Sequence, residues 1–124
     1  MNCETIDVFC HFLPPRYVAA LERRVVPPFM FQRACAIPDM TDIDARRRVL
    51  DQLGDYRQIL SLTSPPIESI ATGDDAIDLS RIANDALAEL SREHADRFPT
   101  FLATLPFADA DAAIDELNRA MREL

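Results

Sequence analysis

The chain has 124 residues, 48% of them hydrophobic and 27% charged, with a formal net charge of −8. That length bounds it at one domain, and the composition excludes a disordered acidic tail. Acidity of this size argues against nucleic acid or an anionic membrane as a partner.

Residues 5–10 (TIDVFC) are rich in β-branched and aromatic side chains and predict a short buried strand. His11 follows, and Pro14 and Pro15 close the strand and suit the first turn of a helix over 16–23. From 25 to 38, Pro27, Pro28 and Pro38 break any period, so this stretch reads as irregular. Thr41 and Asp42 look like a helix start, with Ile43, Val49, Leu50 and Leu53 on one side and Gly54 as the C-terminal cap. A second strand is expected over 58–63, ended by Ser64-Pro65-Pro66. Another helix begins near Asp74 and Asp75, its apolar stripe running through Ile77, Ile82, Ala83, Ala86, Leu87 and Leu90. Residues 100–105 (TFLATL) predict a third strand between Pro99 and Pro106. Asp109 then caps a last helix whose buried side is expected to be Ala113, Ile114, Leu117, Met121 and Leu124.

Strands alternating with helices imply βαβ units and a parallel sheet, hence an α/β fold. Apolar parallel strands are buried on both faces and call for a larger sheet than three strands. The last helix also runs to Leu124 without a C-cap glycine. The pattern therefore reads as a partial TIM (β/α)8 barrel, its first three βα units. A whole barrel takes about 250 residues.

Other features bound the cellular setting. No apolar run has membrane-spanning length, and MNCETIDVFC lacks the layout of a signal peptide. Cys3, Cys10 and Cys35 are an odd number without C-x-x-C spacing, so reduced thiols in a cytoplasmic protein are expected rather than disulfides or a zinc knuckle. All 13 basic residues are arginine, which fits genomic base composition better than a functional demand. With Gly54 and Gly73 alone, there is no glycine-rich phosphate loop.

Among the polar residues, His11 stands where a barrel strand delivers side chains to the site face. It reads either as a metal ligand through a neutral ring nitrogen or as a packed, hydrogen-bonded histidine. His94, near Arg92, Glu93 and Asp96, reads as a solvated surface histidine. Asp7 reads as a structural member of a hydrogen-bond network. Ser61, Thr63 and Ser64 end the second strand beside Pro65-Pro66, where a turn role outweighs ligand contact. Arg46, Arg47 and Arg48 are expected on a solvated helix face balanced by Asp42, Asp44 and Asp51.

The run Ile6-Asp7-Val8-Phe9-Cys10-His11-Phe12-Leu13-Pro14 resembles the first strand of the amidohydrolase-related superfamily. It is most similar to the aminocarboxymuconate-semialdehyde decarboxylase branch, which opens with Ile-Asp-x-His-x-His-x-x-Pro. The likeness continues through residues 44–51 (DARRRVLD), 58–61 (QILS), 83–90 (ANDALAEL), 96–99 (DRFP), 105–106 and 113–124. No single piece is specific; their order and spacing together are. The resemblance implies that residues 1–124 are an incomplete N-terminal portion of a barrel domain. It implies a metal-dependent carboxy-lyase acting on an unsaturated or aromatic carboxylic acid, with zinc or another divalent metal. It assigns His11 as a metal ligand and Arg33, after the first strand, as the substrate-binding arginine; catalytic groups stay unassigned. Phe9 stands where the family has its first histidine ligand. The implied partners are a small-molecule carboxylate and either further copies of this chain or a complementary barrel chain. Two alternatives stay open: a non-catalytic barrel fragment or oligomerising subunit, and a hydrolase of the same superfamily.

Overall fold

The computed structural model describes residues 4–124; Cys3 lies outside the described residues. Strand β1 (Thr5–His11) pairs in parallel with β2 (Tyr56–Ser61), giving a mixed α/β fold around a two-stranded parallel sheet. Between them lie α1 (Pro15–Glu22), α2 (Phe29–Cys35), α3 (Pro38–Thr41) and α4 (Ile43–Leu50). After β2 come α5 (Gly73–Glu93) and α6 (Ala110–Glu123).

The local stop and start signals are obeyed. Asp42 caps α4, its carboxylate accepting from the backbone N–H groups of Asp44 and Ala45. Asp109 caps α6 in the same way through Ala112 N–H. Gly54 turns the chain into β2 at φ +71°, a left-handed conformation that suits glycine. The prolines mark helix starts rather than gaps. Pro28 is the N-cap of α2 and Pro38 opens α3, so the expected irregular stretch 25–38 contains the whole of α2 and the first residue of α3.

The pairing of β1 with β2 slips by one residue. Asp7 stands opposite Gln58, but Cys10 stands opposite Leu60 and His11 opposite Ser61. One extra residue is therefore accommodated at Val8-Phe9. Asp7 Oδ1 accepts Phe9 N–H at 2.9 Å, and its Oδ2 accepts from Gln58 Nε2 at 3.3 Å. This is the hydrogen-bond role expected of Asp7, and it places the irregularity directly before the end of the strand, where such a kink re-aims side chains.

The expected third strand is reduced to one parallel bridge, Leu60 to Phe101, with Leu102 N–H donating to Leu60 C=O at 2.8 Å. Its next backbone donor is diverted: Thr104 N–H binds Asn84 Oδ1 at 2.8 Å, and Asn84 Nδ2 donates to Thr104 C=O at 2.9 Å. Pro106 has no N–H to continue a ladder. The segment still follows the order first strand, second strand, third segment.

Helix α5 carries the core. Leu79 and Ala83 pack with Leu13, Tyr17 and Phe31, while Leu87 packs with Phe12, Leu60 and Phe98. Two burial expectations fail. β1 is not a buried strand: Ile6, Val8 and Phe9 are exposed, since no described element covers them. α6 buries Ala113 as expected but exposes Ile114, Leu117 and Met121 and buries Glu116 in their place. The reason is a polar anchor that outweighs the apolar stripe. Asn84 Nδ2 donates to Glu116 Oε1 at 2.7 Å, and Arg119 donates to both Glu116 oxygens at 2.8 Å.

Asn84→Ala should lower stability by about 2–4 kcal/mol, because it removes one of the donors to a buried carboxylate and leaves two backbone groups of Thr104 unpaired. The urea midpoint should fall with the slope unchanged. Glu116 also sets an acid limit. Burial pushes its carboxyl up, but the bonds from Arg119 and Asn84 and the charges of Arg119 and Arg81 together hold it below its ordinary value of 4.5. The folded value lies below the unfolded one. Its stabilisation is therefore complete above about pH 4.5 and drains away as pH falls through the folded value. Glu116→Gln should be less stable than wild type near neutrality, with the gap closing in urea titrations taken towards about pH 3.

Candidate active site

The candidate site is built at the C-terminal end of the two strands. His11 is the last residue of β1 and Ser61 the last of β2, and the two are register partners. His11 Nδ1 lies 3.0 Å from Ser61 Oγ, which itself donates to Cys10 C=O at 2.9 Å. The Phe9 ring stands edge-on to the imidazole, 5.1 Å between centroids, and is 82% exposed.

Behind His11 sits Arg46 of α4, only 7% exposed. Its Nη2 donates to His11 C=O at 2.6 Å, Nε to Asp39 C=O at 2.7 Å and Nη1 to Gln58 Oε1 at 3.1 Å. Its guanidinium also lies 5.5 Å from the centre of the Phe12 ring. The solvated arginine face expected over 46–48 is thus corrected for Arg46, which is a buried cation held by neutral oxygens. Arg47 pairs with Asp96 rather than with the acids of its own helix, and Arg48 is exposed. The signal for Arg46 was available: it lies three residues after Ile43 and four before Leu50, on the side of α4 that turns inward. Val49 and Leu53, expected on that side, are exposed.

Arg33 lies on α2, exposed, its guanidinium 5.8 Å from the centre of the Phe29 ring. With Met30, Ile37, Thr63, Ser64 and Pro65 it lines an open, mostly apolar cavity of about 810 Å³. Thr63 and Ser64 follow β2 rather than ending it. The fold therefore brings Arg33 to the loop after β2. It does not bring His11 into that cavity; His11 lines a smaller hollow of about 230 Å³ with Asp39, Met40, Arg46 and Gln58.

Among the described residues, no group of three or more histidine, cysteine, aspartate or glutamate side chains could hold a metal ion. Burial and then the nearby Asp7 carboxylate push the Cys10 thiol up to about 11, so it stays protonated near neutrality and is no nucleophile there. Its Sγ donates to Ile59 C=O at 2.9 Å. Both carboxylate oxygens of Asp7 are engaged as described. Among the described residues at this strand end, His11 offers one unpartnered ring nitrogen, which does not fit a centre needing three protein ligands. His94 is half-buried rather than solvated. It accepts from Arg47, which also binds both oxygens of Asp96 and, with the charge beside it, keeps that carboxyl below its usual range.

No family model matches the chain. Similar proteins are nevertheless found by sequence and by structure. The gamma-resorcylate decarboxylase of Rhodococcus jostii (strain RHA1) is 36% identical over 121 residues, 98% of this chain and 32% of the relative. The crystal structure of a dihydroxybenzoic acid decarboxylase from Polaromonas sp. JS666, with bound manganese and the inhibitor 2-nitroresorcinol, is 32% identical. It superposes with a TM-score of 0.74, covering 99% of this chain and 36% of that one. A solved amidohydrolase II superposes at 0.75 with 26% identity over 97% of this chain and 37% of its own. The chain is thus similar in sequence and fold to these decarboxylases and in fold to an amidohydrolase II. It spans about a third of the length of the curated relatives it matches. No helix among the described residues is long and apolar enough to cross a membrane.

Arg46→Lys keeps the charge but cannot reach His11, Asp39 and Gln58 together. It should cost about 2–4 kcal/mol in urea unfolding. Amide hydrogen exchange should rise at His11 and Phe12, at the end of β1.

Proposed function

We propose that residues 1–124 form the first three βα units of an amidohydrolase-type (β/α)8 barrel and take part in decarboxylating an aromatic or unsaturated carboxylic acid. The observation that carries this reading is the likeness to aromatic-acid decarboxylases over 98% of the chain, joined to a histidine delivered at the end of β1. In this reading the ring–carboxylate bond breaks, carbon dioxide leaves, and the electron pair left on carbon takes up a proton. Arg33, at an apolar cavity of drug-like size, suits a carboxylate on a flat ring. His11 would be one ligand of a divalent metal such as zinc or manganese. The other ligands would come from outside these residues, either from a complementary barrel chain or from another copy. The setting proposed is cytoplasmic.

A second reading is a non-catalytic barrel fragment or oligomerising subunit. Phe9 at the first ligand position favours it, since a phenyl ring cannot coordinate a metal. Hydrolysis is a third reading, favoured by the structural likeness to an amidohydrolase II.

The deciding experiment is native mass spectrometry of the purified protein with its metal content, paired with a decarboxylation assay on 2,6-dihydroxybenzoate. A metal-bearing assembly that releases carbon dioxide and 1,3-dihydroxybenzene is the expected result. A metal-free monomer or self-oligomer without turnover would leave the fragment reading in its place. In an active assembly, His11→Ala should lower metal affinity by about 100-fold and abolish turnover. Phe9→His should raise metal affinity.

A further inference from the structure

The hydrogens around His11 can be assigned from what each neighbour is able to donate. Ser61 Oγ lies 2.9 Å from Cys10 C=O. Two oxygens at that separation need a hydrogen between them, and only the serine hydroxyl has one. That single hydrogen is then spent on Cys10. The contact of 3.0 Å between the same Oγ and His11 Nδ1 must use a hydrogen from the imidazole. The other ring nitrogen, Nε2, has no hydrogen-bond partner among the described residues. His94 gives the opposite case in the same molecule. Arg47 Nη1 lies 3.2 Å from its Nδ1, and a guanidinium can only donate. His94 Nδ1 therefore carries the lone pair and its Nε2 the hydrogen.

We infer that Ser61 is the positioning residue that fixes neutral His11 with its hydrogen on Nδ1, presenting the bare Nε2 lone pair to whatever the site binds. Ser61 and His11 are register partners at the ends of the two strands, so the ladder itself sets their distance. Arg46 holds the His11 carbonyl from behind, which stops the strand end from swinging the ring away from Ser61. An imidazole so held can ligate a cation or accept a hydrogen bond from a substrate hydroxyl, but cannot donate from the free side. The use of that lone pair rests on the proposed reading of His11; the tautomer does not.

The test is long-range ¹H–¹⁵N correlation spectroscopy of the ¹⁵N-histidine-labelled full chain, without metal, at pH 8, where an ordinary imidazole is neutral. His94→Asn assigns the two rings. The expected spectrum shows His11 bare at Nε2 and His94 bare at Nδ1. Ser61→Ala should shift His11 towards hydrogen on Nε2 while His94 stays as it was, and Ser61→Thr, which keeps a hydroxyl, should retain the wild-type pattern. The unchanged His94 signature shows that the Ser61→Ala chain is folded. Hydrogen on His11 Nε2 in the wild-type chain overturns the inference, even if Ser61→Ala fails to fold. An unaltered His11 in folded Ser61→Ala overturns it as well. Decarboxylase activity enters none of these outcomes, so loss of the functional reading and loss of the tautomer assignment are told apart.

Discussion

A buried guanidinium must fill its donor positions with acceptors, because an unmet N–H in a dry environment is costly and a charge more so. Arg46 meets that demand with two backbone carbonyls and one side-chain amide, from the α3 segment, the end of β1 and the middle of β2. Three pieces of chain distant in sequence are thereby fixed by one side chain. Burial disfavours the charged form of Arg46, while Cys10, Asp39 and Asp7 act in the other direction. Gln58 passes the constraint on to Asp7, and Asp7 closes the slip in the ladder that precedes His11. The geometry at the strand end is a consequence of this chain of polar contacts more than of apolar packing.

The same preference for polar anchoring explains where the apolar surface goes. α6 is held to α5 by Asn84, Glu116 and Arg119, leaving Ile114, Leu117 and Met121 facing outwards. β1 likewise turns Ile6, Val8 and Phe9 away from the described core. Exposed aliphatic and aromatic side chains on both an outer helix and a sheet strand are unusual for a domain that is complete by itself. They accord with the proposed larger barrel, in which a parallel sheet is covered on both faces.

How much could be read in advance follows from the range of each interaction. The caps at Asp42 and Asp109 and the turn at Gly54 depend on neighbours within three residues, and they stand where the sequence puts them. The parallel β1–β2 pair was legible from two apolar runs. The strand expected over 100–105 forms only one bridge, because a ladder needs a neighbour to pair with, and Asn84 takes the Thr104 backbone first. The helix Phe29–Cys35 stands where the prolines suggest breaks, because Pro28 starts a helix there. At the site, the position of His11 was legible from its place after a strand-like run. Its partner Ser61 was not, since register across fifty residues is not written in local periodicity. A triple arginine suggests solvent, whereas the spacing of Arg46 from Ile43 and Leu50 points it inward, where it is buried.

The substitution at Phe9 bears on what the strand end can do. In the resembling family pattern the first strand supplies two imidazoles; here one is a phenyl ring lying edge-on to the other. The ring cannot donate a lone pair, but it gives His11 an apolar neighbour on one side while Ser61 fixes the other. Where the family pattern has two imidazoles converging on one cation, this strand end has one, whose orientation is set by Ser61. A single oriented nitrogen holds no metal by itself, since affinity grows with the number of converging ligands. It is able to accept a hydrogen bond from a hydroxyl group, and it can complete a metal centre whose other ligands arrive from elsewhere. In the proposed decarboxylation, the described residues of this chain would bind and orient, and the bond-breaking step would depend on groups brought to the open side of β1.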